Sequence, residues 1–461
     1  MTEPLDIGYL ALQGGDHIVA VDGDTVFSAD DFKQRVERFY ASIAQQAEHS
    51  VGLWLSSPWD FLCIFAALAL AGKRIVMPHN LQAGAAGQMN DYFSALITDQ
   101  PLPALDCPQW HPAGLLATTA KPEALQALSE SAGVGSVEMI LFTSGTTSEP
   151  TPVRKTLADL HGELVELEQA FAGEVQQHPV LATVSHQHIY GLLHVLLWPL
   201  VRRAPFAITA CHYPEVLAEQ AEKLAPVVLV SSPTHLSRLP QSEPFCAQAG
   251  AFSSVFSSGG LLAKTDALAI TEVLGRAPIE VLGSTETGGV AYRRQNESEC
   301  WTALPNVSVD QSPNGCLRVR GNHLGGLPEF VMGDRVELQP DGRFLLLGRA
   351  DTVVKVEGKR LSLNEMQTRL NEHEWVLESR VAIVRGRRDE VGVVAALTQA
   401  GLDAIAVRGK RPVNIILKRH LQDYFELPLL PRRWRYLDAM PRNTQGKILA
   451  VDIQNLLEAR V

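Results

Sequence analysis

The sequence predicts a mixed α/β fold, with helix-covered, mainly parallel sheets in a large N-terminal domain and a small α+β domain after it. Three observations carry this prediction. Short apolar strand segments alternate with helical segments up to about residue 300, as in parallel sheets covered by helices. The segments that follow are short alternating strands between turns, as in antiparallel sheets. The last stretch of about a hundred residues mixes helices and strands, which suits a separate small domain.

The clearest parallel unit covers residues 51–77, where a strand, a helix that opens on serine and proline, and a second strand follow one another. The same alternation recurs as VEMILFT before a helix near 156–172, VLATV before YGLLHVLLWPL, FAITA before YPEVLAEQAEKLA, VVLVSS before PTHLSRL, and SVFSSGG before AKTDALAITEVLG, with IEVLG closing the series.

The segments NVSVDQ, CLRVRG and DRVELQPDGRFLLLGRAD predict a small antiparallel, β-barrel-like part at the end of the large domain. Beyond GRAD, the segments predict helix, strand, strand and helix: SLNEMQTRLNEH, VLESRVAIVRG, EVGVVAALT and NIILKRHLQDYF. We therefore predict an N-terminal domain at 1–350 and a C-terminal domain at 351–461.

Composition excludes several classes of function. The net charge of −11 argues against a nucleic-acid surface, which needs a basic face for phosphates. The six cysteines are scattered, so neither a zinc spacing nor a disulfide framework is indicated. The N-terminus lacks the features of a signal peptide, and the apolar run at 61–72 is too short to span a bilayer. We expect a cytoplasmic protein without a membrane segment.

Two loops carry groups that suit nucleotide chemistry. LFTSGTTSEPTP at 141–152 follows an apolar strand and is predicted to precede a helix, where amides and hydroxyls can converge on phosphate. VLGSTETGG at 281–289 offers Glu286, a carboxylate that could hold Mg²⁺ against a nucleotide phosphate. Read singly, the first could be a polar surface turn and the second a solvated loop.

Two further stretches lie towards the C-terminus. Asp334 and Arg349 flank the predicted change of domain, where polar groups could grip a sugar in a cleft. PRNTQGKILA at 441–450 delivers Lys447, whose ammonium a mobile domain could insert into an active site for one step and withdraw for the next. Each of these also has an ordinary explanation as a solvated charge.

In this order the four stretches resemble the adenylate-forming superfamily of acyl-CoA synthetases, aryl-CoA ligases, peptide-synthetase adenylation domains and firefly luciferase. FTSGTTSEP resembles its phosphate loop, GSTETGG its magnesium and substrate motif, GRADTVVKVEGKRL its ribose and hinge motifs, and PRNTQGKI its catalytic-lysine motif. The resemblance covers nearly the whole chain. The short N-terminal half and GSTETGGVAYR look most like the compact bacterial ligases of aryl-polyene pathways.

The resemblance implies ATP and Mg²⁺ as cofactors. The ATP-binding residues would be Thr143, Ser144, Gly145, Thr146, Thr147, Leu282, Gly283, Ser284, Thr285, Asp334 and Arg349, and the metal ligands Glu286 and Thr146. Asp334 would accept hydrogen bonds from the ribose hydroxyls.

The resemblance also implies a catalytic set made of Lys447, His188, Glu286 and Lys355. Lys447 would bridge the carboxylate and the α-phosphate during adenylation. The small domain would then rotate about Asp351 and bring Lys355 and Gly358 to the route of the thiol.

SHQHIYGLL resembles the segment that lines the acid pocket. It would contribute His188, Tyr190 and Gly191, and the loop after a neighbouring strand would contribute Ser258, Gly259 and Gly260. Relatives that activate amino acids usually carry an aspartate here, whereas this chain has Gln187, His188 and Ile189. A buried unpaired ammonium is costly, so an α-amino acid is disfavoured.

The chain departs from the family pattern in its phosphate loop and adenine site. Ser148, Thr151 and Pro152 replace the usual glycine, lysine and glycine, and Leu282 replaces an aromatic residue that stacks on adenine. We expect weaker nucleotide affinity rather than loss of function. Arg154 and Lys155, just beyond the loop, are candidates for the missing cation.

The resulting hypothesis is a ligase that adenylates an aryl acid, such as a hydroxybenzoate or hydroxycinnamate, or a medium-chain acyl acid. The acyl group would pass to the phosphopantetheine thiol of an acyl carrier protein, with free CoA as the alternative acceptor. A catalytically silent nucleotide-binding relative and a luciferase-like oxygenase are the other readings.

Overall fold

The computed structural model describes residues 13–78, 89–100, 102, 105–116, 134–143, 151–350, 353–356, 359–385, 389–425, 427–443 and 448–459. Seven predicted site residues lie outside this part of the chain: Ser144, Gly145, Thr146, Thr147, Asp351, Gly358 and Lys447. Thr143 and Lys355 are described in their backbone only.

The strands, in chain order, are β1 Ile18–Asp22, β2 Thr25–Ser28, β3 Ser50–Trp54, β4 Arg74–Met77, β5 Ala95–Thr98, β6 Gln109–Trp110, β7 Glu138–Thr143, β8 Thr151–Thr156, β9 Val180–Ala182, β10 Phe206–Ala207, β11 Val227–Ser231, β12 Phe252–Ser257, β13 Ile279–Ser284, β14 Gly288–Arg293, β15 Thr302–Ala303, β16 Ser308–Gln311, β17 Cys316–Arg320, β18 Phe330–Leu338, β19 Phe344–Arg349, β20 Val353–Val356, β21 Lys359–Ser362, β22 Val376–Val384, β23 Glu390–Leu397 and β24 Arg433–Leu437.

The α-helices are α1 Ala29–Ile43, α2 Pro58–Leu70, α3 Pro112–Leu115, α4 Leu157–Val175, α5 Ile189–Gly191, α6 Trp198–Arg202, α7 Pro214–Leu224, α8 Pro233–Leu236, α9 Glu243–Ala247, α10 Lys264–Leu274, α11 Leu363–Asn371, α12 Gln399–Arg408, α13 Lys410–Gln422 and α14 Ala450–Glu458. A π-helical segment, Leu192–Leu197, joins α5 to α6. Short 3₁₀ turns lie at Asn90–Tyr92, Val134–Ser136, Leu239–Gln241, Ala249–Ala251 and Leu427–Leu429.

Two large sheets form the N-terminal region. The first has nine strands in the order β15-β14-β13-β12-β11-β9-β10-β1-β2, and the second has six in the order β6-β5-β3-β4-β7-β8. The strands from β13 to β1 in the first sheet run parallel, as do those from β6 to β7 in the second. Antiparallel strands occur at the edges. The predicted mainly parallel sheets are confirmed.

Helix α2 shows why these sheets are covered. Ser57 caps its start by accepting from the Asp60 amide, and all but one of its 13 residues are buried. A helix that is apolar all round belongs inside a protein or a membrane. Here it lies in the main hydrophobic core together with residues from both sheets. Within the part of the chain that the structure describes, no helix combines the length and apolarity that a membrane crossing requires.

The antiparallel part is a four-stranded meander in the order β16-β17-β18-β19. The strands are consecutive and all neighbouring pairs are antiparallel, as the sequence predicts. The C-terminal segment forms the hairpin β20-β21 and a three-stranded sheet of β22, β23 and β24. Its two hydrophobic clusters contain only residues after 353. The boundary at residue 350 stays a prediction.

One predicted element order is wrong. The hydroxyl-rich loop does not lead directly into a helix, because β8 follows it and pairs antiparallel with β7, with Thr143 opposite Thr151. Helix α4 begins only at Leu157, after a capping box between Thr156 and Asp159. The β-branched and polar residues of TPVRKT are compatible with a strand that pairs along a sheet edge.

Gly191 permits the close approach of helix α5 to the preceding segment. A Cβ atom there would lie 2.0 Å from the Ser185 carbonyl oxygen. We expect Gly191→Ala to lower the free energy of unfolding by about 1–3 kcal/mol, because backbone must move. Gly173→Ala, at an open position of α4 with nothing within 4 Å, is the control. It should add about 0.5–1 kcal/mol through helix propensity, and equal effects in urea denaturation would contradict the steric argument.

Candidate functional site

The carboxyl ends of parallel strands assemble the candidate site. In the nine-stranded sheet, β9, β11, β12 and β13 are neighbours and run in the same direction. The predicted residues His188–Gly191 and Ser258–Gly260 follow such strand ends, and Leu282–Glu286 covers the end of β13 and the turn after it. This edge of an open α/β sheet is where ligands bind.

The two large sheets are joined at this edge through Leu55, just after β3. The Leu55 amide donates to Gln187 Oε1 at 3.1 Å, and His186 Nε2 donates to the Leu55 carbonyl at 3.0 Å. Burial lowers the pKa of His186 to about 4, so the ring is neutral and can hold this arrangement. Gln187 and His186 are therefore occupied in structure, and neither is available to a substrate ammonium.

The turn between β13 and β14, Ser284–Gly288, is stabilised by its own hydroxyls. The Ser284 amide donates to Thr287 Oγ1, and the Thr287 amide donates to Ser284 Oγ, each at 3.2 Å. Gly283 is required here, because a Cβ would lie 2.3 Å from the Gly288 carbonyl oxygen. The turn therefore presents the half-buried Thr285 and Glu286 at a fixed place.

A buried ammonium supports this turn from below. Lys155, on β8, is 3% exposed, and its Nζ donates to the carbonyl oxygens of Glu286 at 3.1 Å and His323 at 3.3 Å. The neighbouring Arg154 is exposed and lies on the opposite face of the strand. Lys155 thus faces the interior beneath the turn, and its ammonium is already engaged by carbonyls. It is not a free replacement for the cation missing at Thr151.

Glu163 on α4 is the carboxylate that accompanies this ammonium. The side chain is 4% exposed and accepts the Gly289 amide at 2.6 Å. Gly288 has a φ of 67°, and a Cβ there would lie 2.2 Å from Glu163 Oε2. His323 Nε2 donates to the Gly289 carbonyl at 3.0 Å. We call Lys155, Glu163 and His323 the turn-support cluster.

Burial is the dominant influence on these charges. It raises the pKa of Glu163 to about 7, although Lys155 and the Gly289 amide act in the opposite direction. It lowers the pKa of Lys155, against the attraction of Glu163, Asp159 and Glu286. An ammonium and a carboxylate removed from water are tolerable only when each has partners, so the cluster is destabilised when one member is lost.

Asp334 and Arg349 are brought together by strand register. They are directly opposite each other in the antiparallel pair β18–β19. The guanidinium of Arg349 passes over Gly333, where a Cβ would lie 2.8 Å from Nη2. Gly348, with a φ of 98°, lies against Asn364 of helix α11. The predicted ribose-binding pair therefore lies where the large domain contacts the C-terminal segment.

The predicted acid pocket has one wall formed by α5 and the π-helical segment. His188 precedes α5 and is half-buried, whereas Tyr190 packs against the main core. On the neighbouring strand, Ser258 Oγ donates to the Val281 carbonyl at 2.9 Å, and Gly259 and Gly260 are exposed. Leu282 is half-buried at the edge of the same core.

His194 is a residue of this wall that sequence reasoning missed. Its ring packs 4.5 Å from the Tyr190 ring and 5.7 Å from the Phe256 ring. Nδ1 donates to the Tyr190 carbonyl at 3.1 Å, and burial lowers the pKa to about 4, so Nε2 is an unprotonated acceptor. Among the described residues Nε2 has no hydrogen-bond partner.

The other missed residues are Glu163 and His323. A charged residue on the buried face of the α4 pattern was the available signal for Glu163, since unpaired carboxylates are rarely buried. His323 carries no such signal, because only the fold brings it to Gly289. Within the described part of the chain, no group of three His, Cys, Asp or Glu residues could hold a metal ion by itself.

The segment that leads to Lys447 contacts the large domain close to the site. Arg442 Nη1 donates to Thr234 Oγ1 at 3.4 Å, and Thr234 belongs to α8, which follows β11. Arg442 also pairs with Glu378 of β22. Lys447 itself, Asp351 and Gly358 lie outside the described residues, so their roles stay predictions.

The site combines the carboxyl ends of parallel strands from two sheets with a hydroxyl-rich turn and a meander that leads to a C-terminal domain. Together these features define an adenylate-forming type of enzyme. The AMP-binding enzyme family matches residues 10–310, and the chain belongs to this family. The resemblance to the adenylate-forming superfamily is thereby confirmed. Membership supports the predicted enzyme class, an AMP-forming acid–thiol ligase.

Curated relatives agree with this assignment, and a solved structure has a similar fold. The chain is 26% identical over 321 residues to 4-coumarate–CoA ligase of Cereibacter sphaeroides, covering 66% of this chain and 69% of that protein. It is 35% identical over 170 residues to the L-proline–[L-prolyl-carrier protein] ligase of Pseudomonas fluorescens, covering 36% and 32%.

The chain is also 32% identical over 124 residues to malpibaldin synthetase from Mortierella alpina. That match covers 27% of this chain but only 2% of the length of the synthetase. The fold is similar to that of O-succinylbenzoate coenzyme A synthetase from Bacillus subtilis in complex with AMP. The TM-score is 0.80 at 15% identity, over 99% of this chain and 98% of that one.

The neutral buried His194 predicts acid sensitivity. Its pKa is 6.5 in an ordinary setting and about 4 in the fold, so between these values the unfolded chain binds more protons. Stability contributed by the neutral ring is complete above pH 6.5 and is lost as pH falls towards 4. By pH 5 the loss is about 2 kcal/mol for this one residue. In His194→Phe, the free energy of unfolding should therefore differ less between pH 7.5 and pH 5 than in the wild type. An unchanged pH dependence of denaturation would contradict this prediction.

The turn-support cluster predicts a loss of nucleotide affinity when its ammonium is removed. Lys155→Met should weaken ATP binding about tenfold, since the Glu286 carbonyl loses its hydrogen-bond donor and the buried Glu163 loses an attracting charge. Calorimetric titration with ATP would measure this. Arg154→Met removes the adjacent, exposed charge and should change affinity less than about twofold. Equal losses would mean that both cations serve the phosphates directly.

Proposed function

We propose that the protein is an ATP-dependent ligase that adenylates a hydroxylated aryl acid and transfers the acyl group to a phosphopantetheine thiol. One observation carries the choice of acid: the buried Nε2 of His194, an acceptor without a partner on the acid wall. A buried unsatisfied acceptor costs about 1–3 kcal/mol, which a substrate hydroxyl group can recover.

The surroundings of His194 support an aromatic substrate. The ring lies among Tyr190, Trp198 and Phe256. A planar ring would pack against these aromatic faces with its hydroxyl towards Nε2. A medium-chain acyl acid, the alternative from sequence, would leave Nε2 unpaired.

The turn at Ser284–Gly288 supports magnesium and triphosphate binding. The half-buried side chains of Glu286 and Thr285 offer a carboxylate and a hydroxyl oxygen, and oxygens are the ligands that Mg²⁺ prefers. A bound Mg²⁺ would supply positive charge where carboxylate and triphosphate meet. Glu286 would hold it, and the proposed phosphate-loop hydroxyls of residues 143–147 would bind the triphosphate.

Asp334 and Arg349 would orient the ribose, since their opposed positions place a carboxylate and a guanidinium side by side. His188 would lie beside the reacting carboxylate. Lys447 would contribute the ammonium that bridges this carboxylate and the α-phosphate. The contact of Arg442 with Thr234 supports this role, because it sets the preceding residues against the loop after β11.

The acceptor is the second part of the proposal. Curated relatives that match this chain include ligases named for prolyl and D-alanyl carrier proteins and a ligase named for CoA. We favour a carrier-bound phosphopantetheine thiol, with Lys355 and Gly358 beside its route, and keep free CoA as the alternative. Both acceptors present the same thiol to the acyl adenylate.

An acid panel tests the proposed substrate. Benzoate, 4-hydroxybenzoate, cinnamate, 4-hydroxycinnamate and octanoate are each given with ATP and Mg²⁺, and pyrophosphate release is measured. We expect kcat/KM for a hydroxylated acid to exceed that for its unsubstituted partner about tenfold or more. His194→Phe should abolish this ratio. His178→Phe, which changes a histidine whose Nδ1 already bonds Ser253, should preserve it.

Release with octanoate alone would contradict the aryl proposal, and no release with any acid would contradict the ligase proposal.

The role of Lys447 is tested by separating the two half-reactions. Lys447→Ala should abolish pyrophosphate release, because the ammonium stabilises charge only in the first step. Thioester formation from supplied acyl adenylate should remain largely intact. Lys355→Ala is the matched comparison, with the reverse pattern expected. Equal loss of both half-reactions in either variant would contradict the alternation of the C-terminal domain.

A further inference from the structure

Residues 404–422 form a basic stretch in an acidic chain. The stretch holds five lysine or arginine residues and no aspartate or glutamate, whereas the whole chain has a net charge of −11. The five cations are Arg408, Lys410, Arg411, Lys418 and Arg419. They lie at the end of α12 and along α13.

The helical period places most of these cations on one side. Helix α13 buries Val413, Leu417 and Leu421, which define its inner face. Arg411, Lys418 and Arg419 project from the opposite side, where they surround Ile415. We call these three residues, with Arg408, Lys410 and Ile415, the basic face.

The centre of the basic face is apolar. The Ile415 side chain is 53% exposed, and Val407, next to Arg408, is 83% exposed. Single exposed apolar residues are common, but here two stand among unpaired cations. An apolar centre with a charged rim is the composition of a protein–protein interface rather than of a phosphate-binding strip.

The cations of the basic face are also unpaired. Among the residues that the structure describes, none of the five forms an ion pair; Arg408 lies only 5.9 Å from the centre of the Trp375 ring. Other exposed arginines of the same domain do have partners, as in Arg369–Glu372, Arg385–Asp389 and Arg433–Glu390. The basic face can therefore bind acidic groups without first breaking internal pairs.

We propose that the basic face of α12 and α13 is the docking surface for an acidic carrier protein that bears the acceptor thiol. This inference rests on the proposed function in one respect, that the acceptor is carried by a protein. Complementary charge would steer the carrier to the domain that changes position between the two half-reactions. The apolar pair would provide the short-range contact that long-range charge alone cannot.

The test uses the full-length enzyme, ATP, the preferred acid and a phosphopantetheinylated acyl carrier protein with a net negative charge. The variant is Arg411→Glu/Arg419→Glu. We expect KM for the carrier to rise at least tenfold, while pyrophosphate release without acceptor and the KM for free CoA stay within twofold. The control, Arg38→Glu/Lys223→Glu, makes the same change in net charge at exposed positions of the large domain and should leave all three values unchanged.

Binding is measured separately by fluorescence anisotropy with the carrier in its apo form, which has no thiol and needs no chemistry. Wild type should bind it with an affinity that falls as salt rises, and the variant should bind at least tenfold more weakly.

The two proposals fail in different ways. If the carrier binds at the basic face but only CoA accepts the acyl group, the proposed acceptor is wrong and the docking surface stands. If the variant keeps wild-type carrier affinity and KM, or wild type binds no carrier, the docking surface is wrong. Tighter binding of anionic lipid vesicles or duplex DNA than of the carrier, lost in the same variant, would also overturn it.

Discussion

The site depends on one buried ammonium, that of Lys155. It lies on an edge strand of the six-stranded sheet and donates to the Glu286 carbonyl, in the turn that follows β13 in the nine-stranded sheet, and to the His323 carbonyl. Burying a charge is costly unless it has partners. Here two carbonyl oxygens accept from the ammonium, and the buried carboxylate of Glu163 attracts it. These two bonds hold the turn in position against β8. That position fixes Glu286 and the end of β8 beside each other.

Along the wall of the predicted acid pocket, some polar groups are hydrogen-bonded within the protein and others are not. His186 and Gln187 are consumed in joining Leu55 to the nine-stranded sheet, so their place in the motif reflects structure. His194 has a carbonyl on one ring nitrogen and nothing on the other among the described residues. An unpaired buried acceptor destabilises the fold by more than a typical hydrogen bond stabilises it. Such an acceptor is therefore expected where a ligand supplies the missing donor. We therefore expect substrate specificity from the unpaired group, and a rigid structure from the groups that are hydrogen-bonded within the protein.

The contact between the large and small domains has the opposite character. Arg442 reaches Thr234 with a hydrogen bond of 3.4 Å between exposed residues, and Gly348 lies against Asn364. Such polar, lightly packed contacts suit domains that separate and rejoin. The C-terminal segment keeps its own hydrophobic clusters, so movement need not disturb its core.

The sequence by itself determined most of the elements and the class of enzyme. Period and turn signals gave the order of helices and strands, and four motifs in fixed order identified the family, because local propensity and motif spacing are properties of the chain alone. It could not place β8, since TPVRKT pairs only with a strand already formed. Nor could it separate Lys155, which supports the turn, from Arg154, which is exposed. Only the tertiary structure decided that Glu163, His323 and His194 belong to the site, because their partners are distant in sequence and burial, which shifts the pKa of each, arises only when the sheets pack.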